Sequence, residues 1–275
     1  MFHLNGHIKT LTLAASFAVI MTGISACDSS SSNTESISIS LSGDQENPPV
    51  TGNRKGSGNI KIDTSTGAIS GSITVENTTG NPTAAHIHGG DAGKNGGVMI
   101  ALTQDPNNPN KFTVPNGSQL NAAQLETLLK AGLYINVHTQ SHPAGEVRGQ
   151  IIPDTYKVAR VELSGANQVP PNASTASGHA YVTVETSGDH KLRANIKLTD
   201  LNDAKAAHIH MGAAGASGKV VVGFTKNTND GSVWELPTGS QLTEENYSKF
   251  LNEDLYINIH SPAFPKGELR GQIKP

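Results

Sequence analysis

The stretch Ala84-Ala85-His86-Ile87-His88-Gly89-Gly90 returns 122 positions later as Ala206-Ala207-His208-Ile209-His210-Met211-Gly212. A third histidine keeps the same offset: His138 in Leu133-Tyr134-Ile135-Asn136-Val137-His138-Thr139, and His260 in Leu255-Tyr256-Ile257-Asn258-Ile259-His260-Ser261. The offset holds along nearly the whole chain from residue 37. Leu41-Ser42-Gly43 answers Leu163-Ser164-Gly165, Pro48-Pro49 answers Pro170-Pro171, and Gly145-Glu146-Val147-Arg148-Gly149-Gln150 answers Gly267-Glu268-Leu269-Arg270-Gly271-Gln272. Solenoid units are shorter, roughly 20–50 residues, so two copies of this size read as tandem domains. They span 37–153 and 159–275, with the boundary near Pro153-Asp154-Thr155.

Within each copy, apolar residues alternate with polar ones. Ile37, Ile39 and Leu41 alternate with serines; Ile69, Gly71, Ile73 and Val75 alternate with Ser70, Ser72 and Thr74. The second copy repeats this with Val182 and Val184, then Leu192, Ala194, Ile196 and Leu198. Period two buries one face of a strand and leaves the other polar. Pro48-Pro49 cannot sit in a central strand and marks a loop. One helix interrupts the pattern. Asn121 is its N-cap with Gln124 three residues on, Leu125, Leu128 and Leu129 form a stripe, and Gly132 ends it. Thr243, Tyr247, Phe250 and Leu251 are the counterparts. About seven short strands and one short helix per copy predict a mainly β chain: two tandem antiparallel β-sandwiches, immunoglobulin-like or superoxide-dismutase-like.

Residues 1–26 read as a targeting signal. Lys9 supplies a weakly positive start, and the apolar run Leu11 to Met21 is too short to remain in a bilayer. The run ends in Ile24-Ser25-Ala26-Cys27, which resembles a bacterial lipoprotein signal and implies that Cys27 becomes a lipid-bearing amino terminus. Cys27 is the only cysteine, so folding draws on no disulfide. The Ser-rich stretch 27–36 then reads as a flexible tether. The net charge of −3, with no basic run, argues against a nucleic-acid partner.

On a strand, His86 and His88 project to one side and Ile87 to the other, with the two Cα atoms about 6.5–7 Å apart. In 133–139, Tyr134, Asn136 and His138 share the polar side, and in the last strand so do Glu146, Arg148 and Gln150. If these strands are neighbours, three histidines, a carboxylate and an arginine gather on one surface. Two readings stand. His86, His88 and His138, with His208, His210 and His260, hold one copper or zinc ion per domain, with a fourth position for water or a ligand. Alternatively they join Asn136, Glu146 and Arg148, and Asn258, Glu268 and Arg270, in hydrogen-bonded clusters that pin loops to the sheet; Glu146 and Glu268 could pair with Arg148 and Arg270. His142, His179 and His190 align with Phe264, Ser57 and Ala68, lie outside the shared set, and the last two read as surface residues. The loop 89–96 is glycine-rich without the Lys-Ser/Thr ending of a phosphate cradle. No Gly-x-Ser-x-Gly elbow or paired-carboxylate site is present.

Leu41-Ser42-Gly43-Asp44-Gln45-Glu46-Asn47-Pro48-Pro49, the His-x-His stretch, the 133–139 stretch and Gly145 to Gln150, each present twice in order, together resemble the CHRD domain. Asn167-Gln168-Val169 and Met211 are small departures in the second copy. That family is named after chordin, a secreted antagonist of bone morphogenetic proteins, and also occurs in bacterial envelope proteins. The cysteine-rich modules that make growth-factor contacts in chordin are absent here, so that activity does not carry over. Duplicated polar faces with no catalytic set, behind a lipoprotein-like signal, read as a non-enzymatic, lipid-anchored envelope protein, on the periplasmic side or the cell surface, that binds an unidentified ligand. A copper metalloenzyme of superoxide or oxidase type and a metal-free adhesive module are the alternatives.

Overall fold

The computed structural model describes Met1 and residues 33–275; the signal, Cys27 and the start of the tether lie outside the described residues. Domain 1 comprises β1 (Thr34–Ser42), β2 (Lys55–Asp63), β3 (Ile69–Glu76), β4 (Pro82–Gly89), β5 (Val98–Ala101), β6 (Thr103–Asp105), β7 (Asn108–Thr113), α1 (Ala122–Leu129), β8 (Leu133–Thr139) and β9 (Val147–Ile151). Domain 2 repeats it with β10 (Tyr156–Ser164), β11 (Ser177–Glu185), β12 (Leu192–Thr199), β13 (Ala206–Met211), β14 (Val220–Gly223), β15 (Thr225–Lys226), β16 (Val233–Glu235), α2 (Glu244–Leu251), β17 (Leu255–His260) and β18 (Leu269–Gln272). β1 starts at Thr34, so Thr34 to Ser36 pair in a sheet rather than belonging to a tether. The first strand of the second copy, β10, starts at Tyr156.

Each domain is one antiparallel nine-stranded sheet. The orders are β5-β4-β8-β9-β1-β2-β3-β7-β6 and β14-β13-β17-β18-β10-β11-β12-β16-β15. β5 and β6 stand at opposite ends of the first order yet are separated in the chain by Leu102 alone, whose N–H donates to the Ala85 carbonyl at 2.9 Å. Phe224 does the same against Ala207 at 2.9 Å. Each sheet therefore folds over until its two borders meet, giving a barrel-like sandwich. The alternation fills the interior: Ile37, Ile39, Leu41, Ile60, Ile62, Ile73, Ile87, Ile135 and Val137 are all buried in domain 1. β5 to β7 and their counterparts escape the period-two pattern because they are short, half-exposed and, in β7, carry a proline.

The helix has the expected capping box: the Asn121 side chain accepts from the Gln124 N–H, and the Gln124 side chain accepts from the Asn121 N–H, both at 3.0 Å. It ends one residue earlier than Gly132 suggests. Ala131 takes the left-handed conformation (φ 55°), and the Gly132 N–H donates to the Thr127 carbonyl at 2.9 Å. A Cβ at Gly132 would stand 2.8 Å from Thr127 Cγ2, so the close approach is what needs glycine. In α2, Tyr247 and Phe250 are buried, but Leu251 is 43% exposed and leaves the expected stripe. His190 is not a surface residue: it is buried, stacks on Tyr247 at 3.8 Å and pairs with Glu244 at 2.9 Å, which raises its pKa. It also stands at the left-handed position of Gly67, not of Ala68 (φ 47° and 76°).

The domains meet along a polar seam. Arg193 pairs with Asp91 at 3.3 Å and Lys94 with Glu235 at 2.5 Å, while Asn195 Nδ2 donates to the Ala92 carbonyl at 2.8 Å. A cleft of about 930 Å³ opens beside it, lined by Leu125, Leu129, Tyr156, Leu192 and Pro237 among others.

Candidate metal centre

β8 is hydrogen-bonded between β4 and β9. Its register sets His86 opposite Asn136, which stands opposite Arg148, and sets His88 opposite Tyr134, which stands opposite Gln150. The same register recurs in domain 2 among His208, Asn258 and Arg270. Strand parity thus delivers the polar face the alternation predicts. On it, one ring nitrogen from each of His86, His88 and His138 lies within 4.8 Å of the others, and the same is true of His208, His210 and His260. Ring centroids are 5.0–6.2 Å apart in the first triad and 5.1–6.0 Å in the second.

The nitrogens facing away from each centre are tied down. Nδ1 of His88 lies 3.0 Å from the Gly96 carbonyl and Nδ1 of His138 lies 3.0 Å from that of Pro143. The counterparts are His210 with Gly218 at 3.0 Å and His260 with Pro265 at 3.1 Å. A carbonyl can only accept, so these Nδ1 atoms carry the protons and each Nε2 is left with its lone pair. In domain 2 the three inward nitrogens, His208 Nδ1, His210 Nε2 and His260 Nε2, are buried with no hydrogen-bond partner. In domain 1 His86 Nδ1 and His138 Nε2 close to 3.0 Å, while His88 Nε2 is buried and unpartnered. Burial holds the His88, His138, His208 and His260 imidazoles below their usual pKa, which favours their neutral form at pH 7. Unpartnered buried nitrogens are costly unless something else takes their lone pairs.

Arg148 supports the centre from behind. It is 1% exposed, its guanidinium lies 3.5 Å above the Tyr134 ring, and Tyr134 stacks on His88 at 5.0 Å. Arg148 also donates to the Lys94 and Asp91 carbonyls, both at 2.9 Å, which holds the loop 90–97. The Gly96 N–H of that loop donates to the Tyr134 hydroxyl at 3.1 Å, and its carbonyl receives His88. Arg270, Tyr256, Gly218 and His210 repeat the column. The glycine-rich loop is therefore a brace for the histidine.

The two glutamates do not join it. Glu146 pairs with Arg54, not with Arg148; it accepts from Arg54 Nε at 2.5 Å, from Thr139 Oγ1 at 2.6 Å and from the Thr79 N–H at 2.6 Å. Burial raises its pKa, but these bonds outweigh burial and hold it below the usual carboxylate range. Glu268 accepts from Ser174 at 2.6 Å, not from Arg270. A carboxyl that alternation does not single out, Glu46, reaches the polar face. It lies 3.4 Å from Asn136 Nδ2, and burial pushes it up to about 7. Gln168 takes its place in domain 2 and donates to Asn258 at 2.6 Å. Tyr134 and Tyr256 were visible on the histidine side by parity alone; the bracing carbonyls of Gly96, Pro143, Gly218 and Pro265 carry no side-chain signal.

Residues 37–151 and 159–273 each match the family model of the CHRD domain. The chain is similar to chordin of Xenopus laevis, 31% identical over 173 residues, and to chordin of Danio rerio, 28% identical over 173 residues. Each match covers 56% of this chain but only 17% and 18% of the relatives, so the chain spans less than a fifth of their length. No solved structure matches the chain.

Proposed function

Since the chain belongs to the CHRD family, with two copies of the domain in tandem, we propose that it is a lipid-anchored cell-envelope binding protein whose domains each hold one copper or zinc ion. The ligands are His86, His88 and His138 in one domain and His208, His210 and His260 in the other. The observation that carries this is the second triad: three buried ring nitrogens converge with no partner, while the outer nitrogens of His210 and His260 are fixed by carbonyls. Outer hydrogen bonds of that kind orient imidazoles for metal. Three neutral imidazoles suit copper or zinc and leave a fourth position free. The lipid on Cys27 and the envelope location rest on the signal-like sequence. The binding role, in preference to catalysis, rests on the unrecruited carboxylates: Glu146 and Glu268 are engaged with Arg54 and Ser174, away from the triads.

Elemental analysis of metal-exposed, desalted protein tests the reading. Two ions per chain are expected, and one after His86→Ala with His88→Ala. Fewer than about 0.2 ion per domain, far below the full occupancy that submicromolar binding gives, would overturn it.

A further inference from the structure

Two depressions in the molecule are built from equivalent positions of the two repeats. The first, of about 360 Å³, is lined on the domain 1 side by Gln45, Ala92, Gly93, Arg148, Gln150 and Ile152. The second, of about 480 Å³, is lined by Asn167, Ala214, Gly215, Arg270, Gln272 and Lys274. Every one of these six stands 122 positions after its counterpart.

The difference lies in what covers them. Domain 2 roofs the first with Val158, Arg160 and Tyr181. The Tyr181 hydroxyl donates to the Asp44 carbonyl at 3.2 Å, and Asn195, paired with Tyr181 across β11 and β12, donates to the Ala92 carbonyl. The approach is closest at Gly93, where a Cβ would stand 2.4 Å from the Tyr181 ring. Gly215 has the same left-handed backbone, φ +81° against +78°, but nothing lies within 4 Å of its equivalent point. Domain 2 thus carries an equivalent groove without its roof, differing in that the ion-paired Arg160 and Glu162 line it where domain 1 has Ser38 and Ser40.

We propose that this open groove docks the outer sheet face of a CHRD-type domain belonging to a different protein. The receiving groups state what that face must present. A tyrosine and an asparagine at the positions of Tyr181 and Asn195 would reach the carbonyls of Ala166 and Ala214, the counterparts of Asp44 and Ala92. Ile152 and Val158 line the covered groove together; Lys274 replaces Ile152 and makes an exposed 3.9 Å pair with Glu253, so it has room for a second carboxylate where domain 2 has Val158. Asp91 and Lys94, which bind Arg193 and Glu235 across the seam, are Ala213 and Ala216 in domain 2, so the partner needs no such ion pairs. A second copy of this chain does not meet the requirement. Its one suitable face is already engaged with its own domain 1. The corresponding face of domain 1 offers only Ser36, Asn59 and Ser72, the last two paired across β2 and β3 as Tyr181 and Asn195 are across β11 and β12. The inference stands on the duplicated fold and does not depend on any metal.

Grafting the required face onto domain 1 tests it. The full chain carrying Ser36→Glu, Asn59→Tyr and Ser72→Asn acquires a face that fits the groove of the next molecule. A head-to-tail contact that does not close on itself builds open chains. Sedimentation between about 1 and 100 µM, where an interface of a few anchors dissociates, should show a monomeric wild type and a grafted variant whose mass rises with concentration. Adding Ala214→Arg, at an exposed position in the groove, should return the variant to a monomer. A grafted chain that keeps the wild-type circular dichroism yet stays monomeric overturns the proposal. So does association that survives Ala214→Arg, or wild-type association through Ala214. Should the triple variant not fold, Asn59→Tyr with Ser72→Asn carries the same test with weaker association expected.

Discussion

Nδ1 of His210 lies 3.0 Å from the carbonyl oxygen of Gly218, and the N–H of Gly218 donates to the Tyr256 hydroxyl at 3.2 Å. Tyr256 in turn stacks on His210 with 5.1 Å between ring centres. One residue of loop thus fixes both the tautomer and the tilt of the imidazole, and Arg270 clamps the opposite face of the tyrosine at 3.5 Å. Tyr256→Phe removes the hydroxyl and keeps the stack. Metal affinity in domain 2 should fall about 10-fold with the fold intact, as loss of an outer hydrogen bond typically costs 10–100-fold. Competition titration against a chelator reads this directly. Unchanged affinity would show that the loop needs no tyrosine to hold the histidine.

Metal that binds the folded state alone must also raise its stability. At a free concentration 100 times the dissociation constant the gain is about 2.7 kcal/mol per site, and the melting temperature should climb by several degrees. His208→Ala with His210→Ala should erase the gain in domain 2 and spare domain 1. A melting curve indifferent to copper and zinc would favour the metal-free adhesive module.

Glu46 gives a pH signature of the opposite sign to an ordinary surface carboxylate. Burial raises its pKa from 4.5 to about 7, against the pull of Arg148. The folded protein therefore binds this proton more tightly than the unfolded chain. Its stabilisation is complete below about pH 4.5 and is lost as pH rises to about 7. Glu46→Gln abolishes the slope, and Gln168 shows that an amide fits the position. Across that window the wild type should lose about 1–3 kcal/mol relative to the variant, measured by urea unfolding; every other ionisable group is common to both and cancels. A difference that does not vary with pH would refute the assignment.

Tyr181 is buried at the seam, and its loss should let the domains part. Tyr181→Ala is expected to weaken the interdomain contact by about 2 kcal/mol, the scale of a central aromatic anchor. Calorimetry should then resolve two unfolding transitions from one cooperative envelope. A single transition at the wild-type temperature would mean that the ion pairs of Arg193 and Lys94 suffice.

Much of this fold is legible in the sequence because alternation is a direct image of burial. Ile37, Ile39 and Leu41 point inward and the serines between them outward, and the same parity puts His86, His88 and His138 on one side. The duplicated motifs give the domain count. What pairs with Glu146 is not legible, since Arg54 is 92 residues away and reaches it only through the loop after β1. The short strands β5 to β7 carry too few alternating residues to register. The seam is invisible for another reason: Tyr181, Arg193 and Asn195 sit on an outer sheet face, where polar residues are expected whether or not anything covers them.

Leu102 has one more consequence. It is a single covalent stitch between the first and last rows of a nine-row weave, and Phe224 is its twin. Proteolytic cleavage there would leave each border strand held only by its one neighbour, β5 by β4 and β6 by β7, free to fray and to meet strands from neighbouring molecules. A self-contained particle would become a sticky one at the cost of one peptide bond.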